Sequence, residues 1–233
     1  MEDTSKQGGV PEFNQKILFL EKMYRFYDKI SRSFGQWKCG PGCSDCCTSL
    51  AVLTTLEAAF LWERFGEIVK EHFRSTRELA PPLNFTTNEQ AELCINSVDF
   101  PEHNPPEVLH QCPLLGEGRC TVYEARPLMC RLMLSSVDCR KTGCAEIPSE
   151  LLSLNTALLQ IVEDLDSGGW SGYLVHLLPH FDDNTFLEKY AAGTAQLEDA
   201  AVRPNRANPG LLVPPEHQKP VGEWLDLLLQ EMR

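Results

Sequence analysis

The sequence lacks any long hydrophobic run. Its most apolar stretch, Leu50 to Trp62, carries Thr54, Thr55 and Glu57 and is too short to span a bilayer. Met1 to Gln15 is polar and acidic and has no apolar segment of the kind a secretory signal needs. A cytoplasmic protein is therefore expected. Basic residues are few, 21 Lys and Arg against 33 Asp and Glu, for a formal net charge of -12. That balance argues against nucleic acid and against an anionic membrane surface as partners. The chain has no internal repeat, no Gly-rich phosphate loop, no dinucleotide fingerprint and no Ser/His/Asp set that spacing picks out. Histidine is also sparse. His110 alone stands close to a cysteine, while His72, His103, His176, His180 and His217 show no ligand spacing and read as surface or core residues.

Cysteine is what the chain has in abundance, ten in 233 residues. A chain of this length with 42% hydrophobic residues buries an adequate core without cross-links. In a reducing compartment, clustered thiols read as metal-binding or redox-active rather than as a disulfide framework. Four cysteines fall in the nonapeptide Cys39-Gly-Pro-Gly-Cys43-Ser-Asp-Cys46-Cys47. The short gaps let successive sulfurs converge, and Gly40, Pro41 and Gly42 suit tight turns. Adjacent cysteines in extended chain point to opposite sides, so Cys46 and Cys47 are expected to serve different positions. Two metal centres, or one centre and a free thiol, follow from that pair.

A second group comprises Cys112, Cys120 and Cys130, with Cys139 and Cys144 behind them at C-x4-C spacing. The first assignment places Cys39, Cys43, Cys46 and one thiol of the second group on one centre. Cys47 and the remaining second-group cysteines form or contribute to another, with Cys139 and Cys144 able to complete it. Cys94 lies on a predicted helix and is assigned to core packing. From Cys112 to Cys144 five basic residues face three acidic ones. Arg126 and Arg131 read equally as cofactor-side cations that favour thiolates and as partners of surface carboxylates. Cys-only ligation suits both zinc and iron–sulfur clusters. The C-x3-C-x2-C gathering of three sulfurs favours an iron–sulfur cluster over zinc knuckles.

The remaining chain reads as mostly α. Residues 1–11 are expected to be disordered and 12–192 to form the cysteine-cluster domain. Residues 193–233 give a Pro-containing linker and a C-terminal amphipathic helix from Val221 to Met232. Phe13, Ile17, Leu20, Tyr24, Tyr27 and Phe34 recur at helical spacing up to Gly35. Thr54 to Glu57 is a capping box opening a helix to about Leu79, before Pro81-Pro82. Short helices are expected at Thr87–Asn96, after Pro127, from a Ser149 cap, at Gly172–Leu178 and at Asn184–Ala191. A small β-hairpin turns at Gly116-Glu-Gly118.

The ordered motifs resemble the YkgJ-type cysteine-cluster family of zinc- or iron-chelating proteins. They are Cys39 to Cys47, Cys112-Pro-Leu, Cys120-Thr-Val-Tyr123 and Arg126-Pro-Leu-Met-Cys130-Arg131, with a similar Thr-Leu-Glu helix start at Thr55 to Glu57. The likeness spans about residues 36–145. It implies a metal or iron–sulfur site built by these cysteines in a redox, sensing or accessory role. One branch, the flagellin lysine methylases, is similar in the cysteine loop and implies an iron–sulfur-dependent methyltransferase or oxidoreductase as an alternative. This chain is shorter and shows no S-adenosylmethionine loop. The radical S-adenosylmethionine spacing is matched by C-x3-C-x2-C, but the helical pattern does not supply its α/β barrel. The remaining alternative is a zinc-stapled module for a protein partner, as against a cluster protein serving a redox partner.

Overall fold

A computed structural model of the chain describes residues 9–73, 77–99 and 108–232. Helix α1, Gly9–Ser33, turns its Phe13, Leu20, Met23, Tyr24 and Tyr27 face into the core. It begins inside the segment expected to be disordered, and residues 1–8 of that segment lie outside the described residues. Gly35, at φ +124°, turns the chain away from the helix in a conformation that suits glycine.

Strand β1, Val52–Thr54, runs directly into helix α2, Thr55–His72. The capping box forms: Thr54 Oγ1 accepts from Glu57 N at 3.2 Å, and Glu57 Oε2 accepts from Thr54 N at 2.9 Å. The helix bends at Phe65 and ends at His72, short of Leu79. Beyond Phe73 the sequence turns polar, and Arg77–Leu79 is a separate 3-10 turn. Helix α3, Thr87–Ile95, has its own capping box between Thr86 and Glu89. It presses Asn88, Glu89 and Ala91 inward. Cys94 sits on its last turn and is exposed, which overturns the core assignment.

Strands β2, Leu115–Gly116, and β3, Arg119–Cys120, make the expected hairpin, with Glu117 and Gly118 at positive φ in the turn. Helices α4, Leu128–Leu132, and α5, Cys139–Thr142, follow. Helix α6, Ser149–Leu165, has Pro148 rather than Ser149 at its cap. Its Leu151, Leu154 and Leu158 are fully buried.

Strand β4, Trp170–Tyr173, replaces the start of the helix expected at Gly172. It pairs antiparallel with β1, Leu53 opposite Gly172. Helices α7, Leu174–Leu177, and α8, Asn184–Ala191, come next. Strand β5, Arg203–Pro204, pairs with the other edge of β4 in a sheet ordered β1-β4-β5. A Cβ on Gly172 would stand 2.7 Å from Val202 Cγ1, so the glycine admits this close approach. The segment read as a linker is fastened to the body of the fold: Val202 is buried, Arg203 pairs with Glu89 at 2.7 Å and Asn205 donates to Asp166 Oδ2 at 3.0 Å. Helix α9, Gln218–Met232, buries Val221 and Leu228 and sets Trp224 edge-on to Phe34, just past the end of α1. Among the described residues no helix is long and apolar enough to cross a membrane.

Candidate metal centre

The first cysteine loop is a succession of tight turns. Cys43 N donates to Gly40 O at 2.9 Å, with Gly42 at φ +99°, and Cys47 N donates to Ser44 O at 3.0 Å. The second group is fastened to it through the backbone. Cys112 N donates to Cys47 O at 2.9 Å, Ser49 N donates to His110 O at 2.9 Å, and Thr48 bridges Gln111 in antiparallel sense. The hairpin then carries Cys120 back, and a 3-10 turn at Tyr123–Ala125 leads into α4 with Cys130.

Two buried charged residues fix α4. Glu57 Oε1 accepts from Leu128 N at 2.6 Å and from the Tyr24 hydroxyl at 2.8 Å. Burial raises the Glu57 pKa, and these donors oppose the rise. The Glu57 carboxylate therefore serves both its own helix cap and the first turn of α4. Arg131 is 5% exposed; its guanidinium pairs with Asp28 at 2.9 Å, donates to the carbonyls of Arg126 and Glu124, and lies over the Tyr24 ring. It ties the 120–130 segment to α1. Sequence reasoning found Glu57 as a cap and Arg131 as a charge. Leu128, which donates to Glu57, and Asp28, which pairs with Arg131, lie 71 and 103 residues away from them and leave no local signal.

A cavity of about 290 Å³ is lined by Cys39, Cys43, Cys46, Cys47, Cys112, Cys120 and Cys130 among apolar side chains. Seven of the nine proposed ligands therefore share one enclosure. The turn closed by Cys47 N and Ser44 O places the thiols of Cys46 and Cys47 on the wall of one cavity. The expectation that they point apart, based on extended chain, does not hold. Interaction with the Cys47 thiol lowers Cys46 to about 7; Cys47 is raised by the same interaction, by burial, and by Cys112 and Cys130. Burial, then neighbouring Cys112, Cys120 and Cys46, pushes Cys130 up. Cys112 is raised to about 11, chiefly by burial. Cys120 is raised by burial against the opposing pull of Arg126. Cys47, Cys112, Cys120 and Cys130 are thus one electrostatic neighbourhood. Cys39, raised by burial to about 11, has Cys43, Cys46 and Cys139 for neighbours instead.

Arg126 lines the cavity, stacks 3.9 Å over the Tyr123 ring and donates to Tyr123 O at 2.9 Å. Arg131 does not line it. Of the two arginines, Arg126 faces the thiols and Arg131 holds the frame. His110 is exposed and reaches the loop only through its carbonyl. Cys144 is exposed and borders neither this cavity nor the one that takes in Cys139.

Among the described residues no three His, Cys, Asp or Glu side chains are arranged as a ready metal site. The donor set nevertheless fits a thiophilic metal or cluster. Of the side chains lining the main cavity, the Cys, His, Asp and Glu residues are all Cys, they come from three segments, and Arg126 beside them offsets negative charge. No curated protein and no solved structure matches the chain. Residues 38–149 match a family model, CxxCxxCC, described as "Putative zinc- or iron-chelating domain", and over that span the chain is similar to that family.

Proposed function

We propose that the chain is a cysteine-rich metal-binding protein whose inner thiols, Cys47, Cys112, Cys120 and Cys130, hold an iron–sulfur cluster in a redox, sensing or accessory role. One observation carries this reading: four thiols from three segments line a single, mainly apolar cavity. Cys-only donors in low-polarity surroundings suit iron–sulfur ligation, where burial and nearby hydrogen bonds set the potential. A bound cluster supplies one-electron chemistry. The protein's part is to exclude water with the apolar lining, to offset thiolate charge with Arg126, and to fix Cys130 through Glu57 and Arg131. Anaerobic purification followed by metal analysis and a visible absorption spectrum tests the reading. Iron with acid-labile sulfide supports it, and stoichiometric zinc without iron overturns it in favour of a zinc-stapled interaction module.

A further inference from the structure

Much of the main cavity is not cysteine. Leu114, Val122 and Leu174 line it and are buried, whereas Leu109 and Met133, which also line it, are 61% and 40% exposed. The first three form a floor and the last two a mouth open to solvent. An apolar enclosure near this size with few polar groups is the usual form of a small-molecule pocket. Arg126 is the one charged side chain in the lining. It is 15% exposed, and its one carboxylate partner among the described residues, Asp28, stands 4.0 Å away. Asp28 is itself held at 2.9 Å by Arg131. One aspartate thus serves two guanidinium groups, which leaves a surplus positive charge at the cavity wall. Stacking on the Tyr123 ring and the bond from Nη1 to Tyr123 O fix the plane of Arg126 and leave other N–H groups to donate.

We propose that this cavity takes a small amphipathic monoanion, a carboxylate with a short apolar tail, its head on Arg126 and its tail against Leu114, Val122 and Leu174. A guanidinium fork matches a carboxylate in charge and in plane, and a partly buried fork holds it more strongly than an exposed one. The inference deepens the proposed function by naming a substrate class for the same site, and it rests on that reading only for the ligand's place beside the cluster. Arg126 would then serve two anions, the ligand carboxylate and the Cys120 thiolate, whose formation it favours.

The test titrates octanoate, with octan-1-ol as the neutral control, into the full chain by calorimetry under anaerobic conditions, and iron per chain is measured on the same samples. Octanoate is expected to bind the metal-loaded wild type saturably at one per chain, and octan-1-ol more weakly. Arg126→Gln should weaken octanoate by about tenfold or more and remove its advantage over the alcohol. Met133→Glu places a carboxylate at the exposed mouth and should weaken octanoate too. Leu229→Glu, at an exposed leucine outside the cavity lining, should bind as the wild type does. Circular dichroism confirms that each variant folds. No saturable binding to an iron-loaded chain would overturn the pocket and leave the cluster standing. Octanoate binding to a chain without iron would keep the pocket and count against the cluster. Binding only after an iron-loaded chain is stripped would make cluster and anion competitors for one space and overturn the substrate role. Equal binding of acid and alcohol, or equal losses in Met133→Glu and Leu229→Glu, would also overturn the proposal.

Discussion

The backbone N–H of Cys112 donates to the carbonyl of Cys47 across 2.9 Å, which joins the two cysteine groups by main chain before any metal is considered. Thiols 65 positions apart in sequence are thereby held at one cavity wall. Single Ser substitutions at Cys47, Cys112, Cys120 and Cys130 should each strip iron from the protein as purified. Cys94→Ser and Cys144→Ser, both at exposed thiols, should leave it in place. Metal analysis of the six variants is the check, and loss of iron in Cys144→Ser would contradict the ligand division.

Glu57 is expected to matter to the metal without touching it. Glu57→Gln keeps the volume but places an amide donor among groups that already donate, Leu128 N, Thr54 N and the Tyr24 hydroxyl. An unsatisfied buried polar group costs about 1–3 kcal/mol, to be read from urea unfolding. Because the Glu57 contact sets the start of α4, apparent metal affinity should also fall, by roughly 10–100-fold as for other supporting residues. A variant as stable and as metal-loaded as the wild type would show that Cys130 is positioned by something else.

Arg131→Lys tests geometry rather than charge. The lysine retains a cation near Asp28 but cannot reach Asp28 and the carbonyls of Arg126 and Glu124 together. Asp28 is partly exposed, so the loss should be nearer about 1–3 kcal/mol than the larger figure for a fully buried pair. Denaturant midpoints measure it, and full rescue by lysine would reduce Arg131 to a simple ion-pair partner.

Asp166 makes stability depend on pH. It is buried beneath the start of α2, accepts from Leu56 N at 3.0 Å, and burial raises its pKa to about 7, with hydrogen bonds from Tyr190 and Leu56 opposing. The folded pKa lies above the unfolded value near 3.9, so the unfolded chain releases this proton first as pH rises. Asp166 therefore contributes stability that is whole below about pH 4 and is lost as pH climbs through about 7. Asp166→Asn should flatten that part of the profile between pH 4 and pH 8. Thermal midpoints across that range decide it, and an identical slope in both proteins would assign the pH dependence elsewhere.

The sequence revealed those parts of the fold that carry long periodic signals. Helices α1, α6 and α9 show apolar stripes over several turns, and the Thr54–Glu57 box is a local pattern with a local cause. The three-stranded sheet was hidden because β1, β4 and β5 span only two to four residues each, too few for alternation to register. The 193–219 stretch read as linker because its anchors, Arg203 to Glu89 and Asn205 to Asp166, are long-range polar contacts. Cysteine spacing picked out the thiols that gather at the main cavity. It did not separate Cys139 from Cys144, since their fates depend on the left-handed turn at Gly143 that follows α5. Nor did it place Cys46 and Cys47 together, because extended-chain geometry does not apply within a turn.

The most direct test of the inner centre is anaerobic reconstitution with ferrous iron and sulfide, comparing the wild type with a chain carrying Ser at Cys47, Cys112, Cys120 and Cys130. Iron and acid-labile sulfide per chain, with a visible absorption that bleaches on reduction, are expected in the wild type and absent in the variant. A cluster that survives all four substitutions, or a wild type that retains only zinc, would contradict the account.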